Sequence, residues 1–397
     1  MSKCAYLGVG GKARKIKKLY LGVSNKAHAV KKAYIGIGGK ARPWLSGEQN
    51  LISYGTIDGL SVARGWVAAT SIGNYALFGG GAGTHNALGQ WQGLDVVDVY
   101  NKELVKGVAP PLAEKRSGNA ATSVGNYALF GGGWDQNTAV GFSTIDGYDE
   151  YLSKPTPPQL SNARSDVAAT SVGNYALFGG GRMYVASTGK YEFYDTVDSY
   201  SHTLVRSNPV GLSVARYGVA ATSIGNYALF GGGVDPNNYP YNYPSNVVDA
   251  YSGELVKFTP DTLKQARQDI TATSIGEYAI FCGGGSISGN NIFPTNTIDA
   301  YNITLTRSTP VELSTARHSL ASASVGDYAL IGAGYGSETT NVEVYNAQLI
   351  KSTPTKLSEA RYLSGAVAIG NFVLFGGGLS PNNQAPYSIV DAYMVSD

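Results

Sequence analysis

Residues 68–81 read Ala-Ala-Thr-Ser-Ile-Gly-Asn-Tyr-Ala-Leu-Phe-Gly-Gly-Gly, and close variants of this stretch recur along the chain. Each of the seven copies is preceded by an arginine, and these are Arg64, Arg116, Arg164, Arg216, Arg267, Arg317 and Arg361. Successive arginines are 52, 48, 52, 51, 50 and 44 residues apart. A repeat of about 50 residues is typical of four-stranded sheets arranged as blades around an axis. The spacing therefore predicts an all-β, seven-bladed β-propeller.

The order of residues within one repeat predicts its four strands. The small apolar stretch 65–72 suits an innermost strand, Gly73-Asn74 a tight turn, and residues 75–78 a second strand that ends at the glycine triplet. A third strand ends in the pattern acidic residue-x-Tyr, and residues 104–107 form a fourth, outermost strand. The acidic residues are Asp98, Asp146, Asp198, Asp249, Asp299, Glu343 and Asp391.

The repeats do not account for the start of the chain, so we predict two domains. Residues 1–47 form one module, and residues 48–397 form the propeller. The last repeat stops after its third strand, whereas residues 50–56 precede the first arginine in the place of a fourth strand. We therefore expect strand 50–56 to complete the last blade and close the ring, which would remove exposed sheet edges.

The N-terminal module is strongly basic. Residues 1–47 hold 9 Lys and 2 Arg with no acidic residue, so the rest of the chain carries 19 basic and 28 acidic residues, a balance of −9. A 14-residue repeat of Tyr, Gly and Lys predicts three β-hairpins in this segment. We expect this arm to dock on an acidic protein surface or to self-associate; nucleic acid and an anionic cell wall are the alternatives. Its candidate docking residues are Lys12, Arg14, Lys17, Lys26, Lys31, Lys40 and Arg42.

These motifs carry two resemblances to known families. The glycine run, the acidic-x-Tyr pair and the arginine that opens the next repeat resemble the kelch motif over roughly residues 50–397, which implies a kelch-type propeller. Leucines stand where kelch repeats usually carry a tryptophan, at Leu104, Leu204, Leu255, Leu305 and Leu349.

The N-terminal Tyr-x-Gly-x-Gly-Gly-Lys-Ala-Arg pattern resembles short repeats of virion and prophage-encoded structural proteins of Gram-positive hosts. That resemblance implies an attachment module that displays the propeller on a virion.

The sequence does not predict an enzyme. The propeller repeats contain three histidines, His85, His202 and His318. They stand at different positions within their repeats, so we do not expect them to converge on one copper ion. Cys4 and Cys282 lack metal-ligand or redox spacing. We therefore expect no catalytic residue, metal or cofactor. No stretch has the length and apolarity of a signal peptide or membrane span, so we expect a soluble protein that does not insert into membranes.

The arginines that open the repeats allow two interpretations. A ring of seven arginines near one mouth of the axis would attract phosphate, sialic acid or an acidic peptide. Alternatively, each arginine pairs with the acidic residue of a third strand or with blade carbonyls, because both recur once per blade. We favour the structural role, since a ligand rarely requires sevenfold equivalent groups.

The loops after the glycine triplets are where the copies differ most, and equivalent loops lie on one face of a propeller. Their aromatic residues are the predicted ligand-binding set: Trp91, Trp134, Tyr184, Tyr191, Tyr239, Tyr241, Tyr243 and Tyr335. Aromatic rings beside amides suit binding of a glycan or a protein. We therefore predict a phage virion or tail-like component that recognises a host-surface glycan or protein and belongs to a homo-oligomer or larger assembly. The alternative is a bacterial cytoplasmic scaffold that binds a protein partner.

Overall fold

A computed structural model describes the backbone of 6–9, 12–15, 20–23, 26–29, 33–37 and 40–45, and residues 50–396 apart from 237–243, 289–290 and 338. Every described element is a β-strand, and no helix occurs among these residues. Contacts divide the chain into two compact units, residues 1–52 with 395–397 and residues 53–394.

The N-terminal unit contains three antiparallel hairpins. Their paired strands are Tyr6–Val9 with Lys12–Lys15, Tyr20–Val23 with Lys26–Ala29, and Ala33–Ile37 with Lys40–Leu45. Five of the predicted docking residues lie in these strands: Lys12, Arg14, Lys26, Lys40 and Arg42. Lys17 and Lys31 lie outside the described residues.

The second unit is a seven-bladed β-propeller in which the first three strands of every blade pair antiparallel in sequence order. The innermost strands are Ala68–Ile72, Ala120–Val124, Ala168–Val172, Ala220–Ile224, Thr271–Ile275, Ala321–Val325 and Gly365–Ile369. The second strands are Tyr75–Gly79, Tyr127–Gly131, Tyr175–Gly179, Tyr227–Gly231, Tyr278–Cys282, Tyr328–Gly332 and Phe372–Gly376. The third strands are Val97–Asn101, Ile145–Asp149, Val197–Ser201, Val248–Ser252, Ile298–Asn302, Asn341–Asn346 and Val390–Ser396.

The outermost strands are less regular. They are Lys106–Ala109, Arg206–Ser207, Lys257–Phe258, Arg307–Ser308, Lys351–Lys356 and Asn50–Ile57, the last of which pairs with Val390–Ser396 in blade 7. Blade 2 has three strands in the described structure, and Pro155 and Pro157 lie against Gly147 of its third strand. Proline has no amide hydrogen to donate to a sheet, which explains the missing fourth strand.

Two predicted strand bounds were wrong. The innermost strand of blade 1 begins at Ala68, because residues 65–67 form part of a turn with Trp66 at a φ of 51°. The outermost strand is Lys106–Ala109 rather than 104–107, because Leu104 ends a tight turn at a φ of 62°. The leucines at the equivalent place in four other repeats share this conformation, with φ between 59° and 63°: Leu204, Leu255, Leu305 and Leu349.

Six of the seven blades pack on the next blade through a glycine and a phenylalanine. The glycine that ends a second strand leaves room for the ring of the next blade, so a Cβ on Gly79 would lie 2.6 Å from Phe130. The same relation joins Gly376 of blade 7 to Phe78 of blade 1, so the ring closes. Blade 5 carries Cys282 in place of this glycine, and blade 6 carries the smaller Ile331 in place of the phenylalanine. Contacts between neighbouring blades therefore explain much of the repeated phrase.

Candidate ligand-binding face

The seven arginines are fully buried and hold the connection between neighbouring blades. Each pairs with the acidic residue of the third strand in its own blade, at distances between 2.5 and 3.0 Å. Arg64, for example, lies 2.8 Å from Asp98 and donates to the Phe78 carbonyl at 3.1 Å. Burial lowers the pKa of Arg64, and the charge of Asp98 opposes this effect. These guanidinium groups form ion pairs inside the blades and are not exposed to an external anion.

The same acidic residues have further partners that sequence reasoning missed. Asp98 accepts hydrogen bonds from the Ser61 amide at 3.0 Å and lies 3.5 Å from Lys106 of the outermost strand. The amide three residues before the arginine binds the carboxylate in every blade. The outer cations are Lys106, Lys154, Arg206, Lys257, Arg307 and Lys351. The sequence does contain a signal for these outer cations, because a basic residue recurs near the start of the fourth strand.

The buried ion pairs fix the position of each arginine, so the residues directly after it lie at one end of the blades. The residue after the arginine forms a bridge or strand pair with the residue after the glycine triplet in all seven blades, as Gly65 does with Ala82 and His318 with Tyr335. The loops after the triplets therefore lie beside the arginine connections. We call this end of the propeller, formed by the connections after the arginines and the loops after the triplets, the axial face.

The second residue after each arginine has a positive φ, between 51° and 64°, and these residues encircle the axis. They are Trp66, Gly118, Asp166, Gly218, Asp269, Ser319 and Leu363. Backbone hydrogen bonds link them from blade to blade, including Trp66 N to Leu363 O at 2.9 Å and Ser319 N to Asp269 O at 2.8 Å. These residues line a cavity of about 330 Å³ on the axis.

Four of the loops form small hairpins on the axial face. Their strands are Ala82–His85 with Trp91–Gly93, Trp134–Asp135 with Val140–Gly141, Arg182–Val185 with Lys190–Phe193, and Gly285–Ser288 with Asn291–Pro294. In blade 6, Tyr335–Gly336 pairs instead with Arg317–His318. Hairpins give these variable loops a defined backbone, which holds their side chains in place.

The structure brings Trp134, Tyr184 and Tyr191 together in one cluster of blades 2 and 3. All three side chains line a crevice of only about 10 Å³, which has room for about one water molecule. The rings of Tyr184 and Tyr191 are 5.3 Å apart, and Tyr191 is 40% exposed. This cluster is therefore a packed platform with one accessible ring rather than a deep pocket.

Arg182 connects this cluster to the axis. Its guanidinium lies 4.9 Å from the ring centre of Tyr191 and 4.1 Å from that of Tyr217, within cation–π range. Its Nε donates to Asp166 at 2.7 Å. Burial raises the pKa of Tyr217 above its usual value. Arg182 and Tyr217 were not among the predicted binding residues.

Trp91 and Tyr335 lie in two other clusters. Trp91 contacts His85 at 3.9 Å and Trp66 at 5.2 Å between ring centres. Tyr335, which is 43% exposed, lies 5.3 Å from the rings of both His318 and Tyr362. The remaining predicted residues, Tyr239, Tyr241 and Tyr243, lie outside the described residues. Rings thus surround the axis from several blades instead of forming a single patch.

The axial cavity carries charge as well as apolar surface. Asp166 and Asp269 lie on either side of Gly218 in the ring of positive-φ residues. Burial raises the pKa of Asp269, which has His318 at 3.9 Å. Burial also lowers the pKa of His318 despite this carboxylate, so the imidazole is largely neutral at pH 7. Arg182 pairs with the other of these two carboxylates, since its Nε donates to Asp166 at 2.7 Å.

The residues missed on this face stand immediately after the arginines. The sequence pattern predicted an inner strand for residues 65–72 and their equivalents, and it therefore gave no role to Trp66, Tyr217 or Tyr362. The signal was nevertheless present, because positions one to three after the arginine vary between copies whereas the next stretch repeats. Variation at these positions parallels that in the loops beside them.

The described residues contain no group of three or more His, Cys, Asp or Glu side chains able to hold a metal ion. Nor do they include a helix with the length and apolarity to cross a membrane. No protein-family model matches this chain, and a comparison with curated proteins finds no relative. The structure itself identifies the fold as a seven-bladed β-propeller, a scaffold suited to binding.

Proposed function

We propose that this protein is a non-enzymatic recognition module whose axial face binds a glycan. The observation that carries the proposal is the set of aromatic clusters around the axis. In these clusters the exposed ring of Tyr191 lies beside the Arg182 guanidinium, and the exposed ring of Tyr335 lies beside the His318 imidazole. Aromatic rings pack on the apolar faces of sugar rings, and the neighbouring polar groups pair with hydroxyls. The blades supply the rigid framework on which such a site depends for its geometry.

The finer proposal is a kelch-like propeller on a phage virion or tail-like particle, with residues 1–47 as its attachment arm. The repeat pattern and the N-terminal resemblance support it, as does the arm's content of 9 Lys and 2 Arg beside a body with a balance of −9. Removing residues 1–47 should then abolish assembly, measured by light scattering, and leave the thermal unfolding of the propeller unchanged. Assembly that survives the deletion would contradict the attachment role.

Binding of the full-length protein to a glycan array tests the main proposal. Tyr191→Ala and Tyr335→Ala remove the two exposed rings of the axial face, and we expect their binding to fall about tenfold or more, as for loss of base–aromatic stacking. Tyr151→Ala is the matched control, because Tyr151 is 80% exposed in the turn that comes after the third strand of blade 2. That turn lies at the opposite end of the blade from the glycine triplet.

The control variant should bind like the unmodified protein, and all variants should keep the same melting temperature. Equal binding by both axial-face variants and the unmodified protein would overturn the proposal. An array on which the protein binds no glycan would overturn it as well and favour a protein ligand.

A further inference from the structure

The crevice in the aromatic cluster of blades 2 and 3 is small and mostly apolar. Its volume is about 10 Å³, which suits a single group of the size of a methyl or a water molecule. Its lining includes the side chains of Trp134, Met183, Tyr184 and Tyr191, and Arg182 is the one charged residue among the described residues that line it. All five side chains are partly exposed, so a ligand at the surface can reach them. Rings and a thioether favour an apolar occupant over water.

The Arg182 guanidinium is held in place but keeps unused hydrogen-bond donors. Its Nε donates to Asp166 at 2.7 Å, and the ring centres of Tyr191 and Tyr217 lie 4.9 and 4.1 Å from its central carbon. Neither of its two Nη groups donates to a residue in the described part of the chain, and 26% of the side chain is exposed. A preorganised donor therefore lies beside the apolar crevice.

The charges around Arg182 favour a neutral acceptor over an anion. Asp166 already compensates the guanidinium, because the two side chains form an ion pair. Glu192, which pairs with Met183 across the same hairpin, adds a second carboxylate. A ligand carboxylate or phosphate would be repelled by both. A carbonyl oxygen accepts hydrogen bonds without carrying a charge and avoids this repulsion.

We propose that the crevice binds the acetamido group of an N-acetylhexosamine in the recognised glycan. The carbonyl oxygen would accept a hydrogen bond from an Nη group of Arg182, and the methyl group would fill the crevice lined by Trp134 and Met183. The sugar ring would then pack on the exposed ring of Tyr191. An acetamido group carries an acceptor and a methyl group on the same carbon, whereas a plain hexose offers hydroxyls alone. This inference rests on the proposed glycan-binding function and names the class of sugar.

Saturation-transfer difference NMR of the full-length protein tests the inference, because it shows which protons of a weakly bound ligand contact the protein. The probes are N-acetylglucosamine, N-acetylgalactosamine and N-acetylmannosamine. We expect saturable binding of at least one of them, with the strongest saturation on its acetyl methyl protons. The N-formyl analogue of that sugar, which lacks only the methyl group, should bind about tenfold or more weakly.

Arg182→Met removes the proposed donor and keeps an unbranched side chain. We expect it to weaken binding of the N-acetyl sugar about tenfold or more, as for loss of a hydrogen bond to a charged group. Arg206→Met is the matched control, because Arg206 lies in the outermost strand of the same blade with 32% of its side chain exposed and also forms an ion pair, with Asp198. Each variant removes one cation from a partly exposed pair, so both should melt close to the unmodified protein.

Three results would overturn the inference. The first is the absence of saturable binding by all three N-acetyl sugars. The second is equal binding of the N-acetyl and N-formyl forms, which would mean that the methyl group does not enter the crevice. The third is binding by Arg182→Met that is unchanged or reduced no more than in Arg206→Met, which would exclude a direct hydrogen bond from Arg182.

The two proposals fail in different experiments. If Tyr335→Ala, which changes another cluster, loses binding to the array while no N-acetylhexosamine saturates the protein, glycan recognition stands and the acetamido site is wrong. If an N-acetylhexosamine binds and requires Arg182, but Tyr191→Ala and Tyr335→Ala bind the array like the unmodified protein, the acetamido site stands and recognition through the exposed rings is wrong.

Discussion

At the scale of single residues, the paired arginine and carboxylate are internal charges that the fold must satisfy completely. Arg216 and Asp249 are both fully buried and lie 2.9 Å apart, and Lys257 approaches the same carboxylate at 3.1 Å with 16% of its side chain exposed. Removing one partner of a buried pair leaves the other charge without compensation, which costs far more than losing a surface pair. The inner and outer cations should therefore differ in their effect on stability.

We predict that Arg216→Met lowers the free energy of unfolding by roughly 3–5 kcal/mol. Lys257→Met, the matched control, should lower it by about 1 kcal/mol or less, because Arg216 still neutralises Asp249. Urea unfolding at pH 7 measures both values. Similar decreases in the free energy of unfolding for the two variants would contradict the conclusion that the arginine is the main partner of Asp249.

The Asp249 carboxylate also predicts a dependence on pH. Burial alone would raise its pKa, but Arg216, Ser213 and Lys257 together hold the pKa below its usual value. Because the folded state binds this proton less readily than the unfolded state, the contribution to stability is complete above about pH 4 and declines as the pH falls further. The unfolding free energy of Asp249→Asn should vary less with pH between about pH 4 and pH 2. An unchanged slope would show that Asp249 does not contribute.

The Cys282 thiol should report on unfolding. It is completely buried, and burial raises its pKa to about 12. In a Cys4→Ser background, we predict that a thiol reagent at pH 8 labels Cys282 only in molecules that unfold, with a rate that rises with urea concentration. Rapid labelling of the native protein would contradict the close packing of blade 5 against blade 6.

At the scale of strands and blades, the neighbouring phenylalanine ring requires the glycine that ends six of the seven second strands. A Cβ on Gly231 would lie 2.7 Å from the Phe281 ring, whereas Cys282 occupies the same place beside Ile331 in the next pair of blades. The chain thus contains two solutions to one packing problem. Placing a cysteine at Gly231 while Phe281 stays in the next blade should therefore create a steric clash.

We predict that Gly231→Cys destabilises the protein by roughly 1–3 kcal/mol through overpacking. Adding Phe281→Ile should recover part of this loss, so the double variant is more stable than the sum of the two single changes implies. A double-mutant cycle from urea unfolding measures the coupling. Additive effects would mean that this contact does not determine the residue at either position.

The arrangement of strands and blades could be predicted from the sequence, whereas some contacts between the blades could not. The period, the turns and the order of strands are set by local patterns, so the seven blades were predicted from residues such as Gly73 and Tyr75. The positive φ of Trp66 was not predicted, since a tryptophan has no intrinsic preference for that conformation and adopts it here within hydrogen bonds between blades. The lining of the axial cavity likewise depends on contacts between repeats, which no local pattern contains.

At the scale of the whole molecule, ring closure relies on the strand Asn50–Ile57 beside the last repeat. Tyr54 of this strand packs on Phe372 at 5.3 Å between ring centres, and Ile57 contributes to the core between blades 7 and 1. Closure removes a free sheet edge and makes the two ends of the repeat array interdependent.

We predict that removing residues 1–57 lowers the melting temperature by several degrees and promotes aggregation, because the third strand of blade 7 becomes an exposed edge. Removing residues 1–49 alone serves as the control and should leave the melting temperature unchanged. Calorimetry and light scattering of the two truncated proteins measure the difference. Equal melting temperatures would contradict the closing role of strand Asn50–Ile57.

We propose that ligand recognition takes place on the axial face, where the variable loops and the residues after the buried arginines meet. A crystal structure of the full-length protein with the best-binding glycan from the array tests it most directly. We predict sugar density against Tyr191 or Tyr335, the two exposed rings of this face. Density on the opposite end of the blades, near Tyr151, or along the outermost strands would contradict recognition by the axial face.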